Sequence, residues 1–256
     1  MAHSLKLSQK NVEIAKAAKS EGWLVVPQPR LSMGGLVLLL AAANIICPLS
    51  LDMYTPVVPF LPEQFGATAA MVNLTISGFY LFFAIGMLLF GPICDRTGRK
   101  PVLVGGLAVF AVASVACALA WSIESLIAFR LVEAIGAGAV CAVSTAIIKD
   151  CFMAERRTAL LSILQVIMVI GPVIAPLLGG VILMFSTWHT TFVVLAAVGA
   201  ACVGMSLLYS ESLPEGDRVQ GGSATTFVRM GAVAKNRGFA VLRRKPKRFG
   251  YNSERI

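Results

Sequence analysis

The chain has 256 residues, of which 57 % are hydrophobic and only 14 % charged, and its mean hydropathy is +0.80. A soluble domain is nearer half apolar and a quarter charged, so a single soluble globular domain and a disordered chain are both excluded. The 22 Lys and Arg against 13 Asp and Glu give a net charge of +9. In a soluble protein that excess would raise nucleic acid as a partner. Here most of it lies in connectors and tails, where membrane topology explains it, and no nucleic-acid partner is expected.

At roughly 20 apolar residues per span, the length accommodates about six or seven membrane helices. Residues 1–30 are mixed polar, with Lys6, Lys10, Lys16, Lys19 and Arg30 against Glu13 and Glu21. A secretory signal would carry its apolar core nearer Met1. The stretch reads as a cytoplasmic extension with a short helix around Asn11 to Ser20. Leu31 to Leu51 is uncharged and long enough to cross (span 1), and the chain runs on through Asp52, Pro56 and Pro59. Span 2 is expected at about Ala69 to Pro92, span 3 at Pro101 to Ala120, and span 4 at Ser125 to Ile148, interrupted by Arg130 and Glu133. Residues 158–210 carry no charge with His neutral, and the polar break at 186–191 divides them into span 5, Thr158 to Met184, and span 6, Thr191 to Tyr209. Residues 211–256 form a polar tail with ten Lys or Arg. Within it the apolar run Phe239-Ala240-Val241-Leu242 stops at the basic cluster 243–248, which either meets anionic headgroups or has no fold of its own.

The connectors after spans 1, 3 and 5 contain no Lys or Arg. Those after spans 2 and 4 contain three each: Arg96, Arg99 and Lys100, then Lys149, Arg156 and Arg157. Cytoplasmic loops collect Lys and Arg. Both termini are therefore expected in the cytoplasm, and only an even number of spans agrees. Hydropathy and charge converge on an all-α, multi-pass membrane protein of six transmembrane helices: an extension over 1–30, a bundle over 31–210 and a basic tail over 211–256. The six cysteines include no CxxC pair, and there are two histidines. They read as packing residues, and no metal or other cofactor is expected.

Charged side chains inside a membrane are costly and mark function by default. Asp52 lies near the outer end of span 1. Arg130 and Glu133 lie in the outer half of span 4, and their spacing of three puts them on one face. Asp52 and Arg130 are therefore expected to meet across a central cavity, as an acid–arginine pair able to switch with protonation. A static ion pair, or an Asp52 in the headgroup zone, is the plainer alternative. In the connector after span 2, Gly91 and Gly98 flank Asp95, Arg99 follows directly, and Gly98 suits a turn of positive φ. In span 5, Gly171, Ala175 and Gly179 form a small-residue stripe beside Pro172 and Pro176, which favour a kink. Tyr54, Asn73 and Tyr80 are candidates for lining a substrate cavity.

With these residues in place the sequence resembles the major facilitator superfamily. GPICDRTGRKPVL resembles its motif between helices 2 and 3, IAFRLVEAIGAGA its helix 4 motif, and VIGPVIAPLLGG its antiporter motif on helix 5. LDMYTPVVPFLP is similar to the end of helix 1 in drug:proton antiporters of the Bcr/CflA type. The resemblance covers about residues 31–242 and implies the N-terminal half of a twelve-helix transporter. It implies that Asp95 and Arg99 belong to a cytoplasmic network locking one conformation, with Gly91 and Gly98 shaping the turn. It further implies that Arg130 and Asp52 serve proton coupling and that Gly171 and Pro172 head a gating helix. Glu133 departs from the family pattern, which usually has glutamine there.

The resemblance therefore implies proton-coupled export of small hydrophobic drug-like molecules, driven by the proton gradient across an inner (plasma) membrane. Its partners are the lipid bilayer, protons, the substrate, and a second half or a second copy. The competing expectation is a transport-inactive remnant, broken off before or within a seventh helix. A channel is the weaker third reading. An enzyme is not expected, since no nucleophile–His arrangement, HExxH or P-loop occurs.

Overall fold

A computed structural model describes residues 24–26 and 28–213. The expected helix around Asn11 to Ser20, the run 239–242 and the basic cluster 243–248 lie outside the described residues. The elements in chain order are α1 (Met33–Asp52), a 3-10 helix (Thr55–Phe60), α2 (Leu61–Phe65), α3 (Ala69–Thr97), α4 (Arg99–Ala118), α5 (Ile123–Cys151), α6 (Ala154–Phe185) and α7 (Trp188–Leu208). Among the described residues six stretches are long and apolar enough to cross a membrane: α3 to α7, and α1 continued through α2. Extended pairing among the described residues amounts to one isolated bridge, Leu24 with Phe152. The fold is all-α, as the hydropathy pattern requires. Hydrocarbon offers no partner for backbone N–H and C=O, so a spanning segment satisfies its own.

Local signals set the helix ends. The Ser32 hydroxyl accepts from the Gly35 amide at 3.1 Å, and Ser122 and Ser125 form a reciprocal capping box at the start of α5. Both devices satisfy amides that have no carbonyl one turn earlier. The first span departs from the expected Leu31–Leu51. It reaches Phe65, because Pro56 and Pro59 turn the chain into a tighter helix rather than releasing it. α3 likewise runs five residues past Pro92, to Thr97. Hydropathy marks where a helix leaves the membrane, not where it stops. The connector after span 2 thereby shrinks to a single residue, Gly98, whose φ of 105° suits glycine.

α5 is the hub. It packs along α3 on one side and α4 on another, while α7 packs on α4 and α6 on α1. Close approach depends on missing side chains. A Cβ on Gly138 would strike the Phe83 carbonyl and lie 2.9 Å from the Met87 amide nitrogen. The stripe expected in span 5 faces α1. A Cβ on Gly171 would come within 2.6 Å of Pro48, one on Gly179 would strike the Met53 carbonyl, and Ala175 between them is fully buried. Small residues let helix backbones touch, which is how membrane helices gain packing without a hydrophobic drive between them.

Gly138→Val should force α3 away from α5 and destabilise the bundle by ~1–3 kcal/mol, the cost of overpacking. Gly204→Val, at an exposed glycine with open space around it, should change little. Thermal melting of both variants in detergent checks this, and equal melting temperatures would refute the backbone-contact account.

Candidate functional site

The centre of the bundle holds two charges. α5 carries Arg130 and Glu133 one turn apart, and both side chains have no exposed surface. Arg130 Nη1 donates to Glu133 Oε2 at 3.0 Å, to the Ser50 hydroxyl at 2.7 Å and to the Ser50 carbonyl at 3.1 Å. Ser50 lies among the last four residues of α1, where carbonyls run out of intrahelical donors. Its hydroxyl donates onward to Glu133 Oε1 at 3.1 Å, and the Ser114 hydroxyl from α4 donates to the same oxygen at 2.8 Å. Cys117 Sγ approaches Oε2 at 3.8 Å. One carboxylate therefore ties α1, α4 and α5 together.

Aromatic faces enclose the cation. The Arg130 guanidinium carbon sits 4.5 Å from the Tyr54 ring centre, 4.4 Å from Phe79 and 5.8 Å from Phe192. Ring faces are negative and stabilise a desolvated cation, by up to about 2 kcal/mol each when water is excluded. The Tyr54 hydroxyl and Thr75 Oγ1 are 2.8 Å apart. Thr75 gives its one hydrogen to the Val72 carbonyl at 2.6 Å, so Tyr54 is the donor. Arg130 Nε and Nη2 are buried without a hydrogen-bond partner. A buried guanidinium nitrogen without an acceptor is costly, and the surrounding ring faces offset part of that cost.

The expected pairing of Arg130 with Asp52 is not what the structure places here. Glu133 is the partner. Asp52 follows Ser50 by two residues, about 200° around a helix, so it turns away when Ser50 faces Arg130. It is half-buried near Cys47 and Tyr80. Of the proposed lining residues, Tyr54 belongs to the aromatic enclosure, whereas Asn73 and Tyr80 are exposed on α3. Gly171 is buried against Pro48, and the neighbouring Pro172 is exposed.

A second cluster forms at the Gly98 turn. Arg99, 8 % exposed, donates from Nε to Asp150 at 2.7 Å and from Nη1 to Asp95 at 2.5 Å and to Cys94 Sγ at 2.9 Å. The two Glu211 carboxylate oxygens accept from the amides of Arg99 and Lys100, at 2.8 and 3.0 Å. A carboxylate at a helix N-terminus satisfies orphan donors and meets the positive end of the dipole. Gly91, expected to help shape this turn, lies inside α3 with open space around it. Sequence reading missed Ser50, Ser114, Phe79, Phe192, Asp150 and Glu211. The serines and rings look like ordinary membrane-helix residues until the fold aims them at Arg130. Among the described residues no cluster suited to a metal occurs.

Among the described residues, six helices of membrane-spanning length and hydropathy surround a sealed acid–arginine centre. The family profile described as "Major Facilitator Superfamily" matches residues 40–248, and the chain belongs to that family. It is 35 % identical over 207 residues to the uncharacterized MFS-type transporter YdgK of Bacillus subtilis (strain 168), covering 80 % of this chain and 52 % of that protein. It is 39 % identical over 193 residues to the Chloramphenicol resistance protein of Pseudomonas aeruginosa, covering 75 % and 45 %. It is 36 % identical to the Multidrug resistance protein MdtL of Escherichia coli (strain SMS-3-5 / SECEC), covering 65 % and 42 %. The chain thus spans about half the length of these relatives. Among solved structures, the human organic anion transporter MFSD10 aligns with a TM-score of 0.61 at 20 % identity, covering 76 % of this chain and 51 % of that one. The proton:xylose symporter XylE aligns at 0.63 and 15 %, covering 70 % and 45 %. These two establish the fold.

Removing one member of the central pair strands a buried charge. Glu133→Leu should cost about 3–5 kcal/mol, and Arg130→Leu/Glu133→Leu should recover much of that loss. A double-mutant cycle on thermal unfolding in detergent measures it. Additive losses would mean that the two groups do not interact. At the other cluster, Glu211→Ala removes the cap of α4 at about 1 kcal/mol. Amide exchange at Arg99 and Lys100 should then accelerate, while exchange in mid-α5 stays slow.

Proposed function

We propose that this chain forms one six-helix bundle of a proton-coupled exporter of small hydrophobic drug-like molecules, nearest in type to the Bcr/CflA drug:proton antiporters. On this reading it works in the plasma membrane with both termini cytoplasmic and needs no cofactor beyond the proton gradient. The observation that carries it is the sealed Arg130–Glu133 pair and its grip on α1 through Ser50. The names of two relatives, one for chloramphenicol resistance and one for multidrug resistance, support the substrate class.

The coupling follows from charge. With Glu133 ionised, Arg130 is neutralised and α1, α4 and α5 are held together. A proton on Glu133 removes the anion from the pair and leaves Arg130 with Ser50 and the ring faces of Tyr54, Phe79 and Phe192. The helices are then freer to rearrange, and the idle N–H groups of Arg130 are available to a polar atom of substrate or water. Asp52, nearer the outer end of α1, is the acid placed to exchange protons with the outside. Transport also requires a second bundle opposite the first, in which binding sites lie between halves that rock. A second copy of this chain or a further polypeptide would supply it. Leu81 and Leu88 on α3 and Val173 and Leu177 on α6 are apolar and exposed, on faces that such a bundle would cover.

The experiment is drug-stimulated proton flux in sealed vesicles containing this chain, read with a pH-sensitive dye and chloramphenicol as the probe. The wild type should show it. Asp52→Asn and Glu133→Gln should each reduce it at least tenfold while still inserting in the membrane. Absence of flux from correctly inserted wild-type chain would support the competing reading, a transport-inactive remnant. Full flux in both variants would overturn the assigned roles.

A further inference from the structure

Two stretches of chain leave the helical ladder close to the start of α4. Phe152 and Met153, between α5 and α6, are extended, and so is Tyr209 at the end of α7. A helix end leaves carbonyls without intrahelical donors, and the chain beyond it carries amides without helical acceptors. Residues ahead of α1 answer both needs. Leu24 pairs with Phe152 in an antiparallel bridge, and the Val25 amide donates to the Cys151 carbonyl at 2.7 Å. Gln28 Oε1 accepts from the Ser210 amide at 2.8 Å, and its Nε2 approaches Cys151 Sγ at 4.0 Å. Pro29 follows Gln28, and a residue before proline is biased toward extended backbone. Leu24 and Phe152 are both buried. An apolar anchor therefore seats this strap, and hydrogen bonds on either side fix its register.

The two positions that the strap holds are the direct neighbours of two acids. Cys151 follows Asp150, whose carboxylate accepts from Arg99 Nε at 2.7 Å. Ser210 precedes Glu211, which accepts from the amides of Arg99 and Lys100. The contacts close a ring. It runs from the start of α4 to Asp150, through Cys151 to Val25, through Gln28 to Ser210, and from Glu211 back to α4. In a closed ring each link limits how far the others drift, so the network holds more firmly than its separate bonds. We propose that Leu24, Val25 and Gln28 form a strap that positions Asp150 and Glu211 on α4. The Arg99 cluster is tight when the strap is seated and loosens when it lifts. The strap acts on the acids through the backbone of their neighbours, so the chain ahead of α1 bears on α4 through α5 and the end of α7. This device is separate from the Arg130 centre and does not depend on whether the chain transports anything.

The test uses the full 256-residue chain in detergent, with hydrogen exchange read by mass spectrometry. Gln28→Met keeps the length of the side chain and removes the acceptor for Ser210. Exchange at the Arg99 and Lys100 amides should rise about fivefold, the scale of one net hydrogen bond. Exchange in mid-α5 and the global melting temperature should change little. In a Glu211→Ala background those amides have already lost their partner, and Gln28→Met should add nothing. Cys151 gives a second reading that leaves Gln28 intact. Its thiol is buried beside Gln28, so a maleimide should label it slowly in the wild type. Leu24→Asp places a charge in the buried anchor and should lift the strap, raising that labelling by about tenfold or more. Unaltered exchange at Arg99 and Lys100 in folded Gln28→Met would overturn the proposal. So would equal acceleration over all the helices, full additivity with Glu211→Ala, or Cys151 labelling as fast in the wild type as in Leu24→Asp.

Discussion

A buried charge in a membrane has no solvent to fall back on, and this bundle is built around two of them. Arg130 and Glu133 must satisfy one another, because hydrocarbon cannot. That need fixes what surrounds them. Ser50 and Ser114 supply the hydroxyls that the carboxylate requires beyond its arginine, and the rings of Tyr54, Phe79 and Phe192 supply electron density to the cation. These residues come from α1, α3, α4 and α7 and from the turn after α1. The site therefore dictates which helices converge on α5 and in what register.

Convergence at that density is possible only where backbones touch. α5 meets α3 through Gly138, and α6 meets α1 through Gly171 and Gly179. The latter contacts fall on Pro48 and Met53, the stretch that holds Ser50. Close packing behind α1 thus presses its carbonyl and hydroxyl toward Arg130. The packing device and the electrostatic centre act on the same four or five residues from opposite sides.

Much of this was legible in the sequence, and the reason is the membrane. Long uncharged runs and the alternation of basic and neutral connectors are strong signals, so six helices could be counted before any coordinates. Arg130, Glu133, Asp95 and Arg99 stood out because charges are rare there. What could not be read was direction. Asp52 and Ser50 differ by two residues, and only the rotation of α1 decides which faces Arg130. Periodicity could not supply that rotation, since apolar residues lie on every side of α1. Helix ends were also misplaced where polar residues continue a helix beyond the membrane, as Cys94 to Thr97 do in α3. Serines and phenylalanines gave no signal, because membrane helices are full of both.

The two ionic clusters differ in kind, and α5 carries part of each. Arg130 and Glu133 sit in a dry core, where salt does not reach. Asp150, twenty residues on, meets Arg99 at a partly exposed end where screening weakens ion pairs. The separation along the helix is roughly 30 Å. A continuous helix transmits tilt, so a rearrangement of ~10° about the central pair displaces the Asp150 end by roughly 5 Å, from the same helix length. That exceeds the reach of a 2.7 Å hydrogen bond to Arg99. A tilt of that size would therefore break the outer pair unless α4 moved with α5. Glu211, bound to the first amides of α4, ties α4 in turn to the segment that follows α7. Among the described residues α5 is thus the one helix that carries a charged member of each cluster, Arg130 and Glu133 at one and Asp150 at the other.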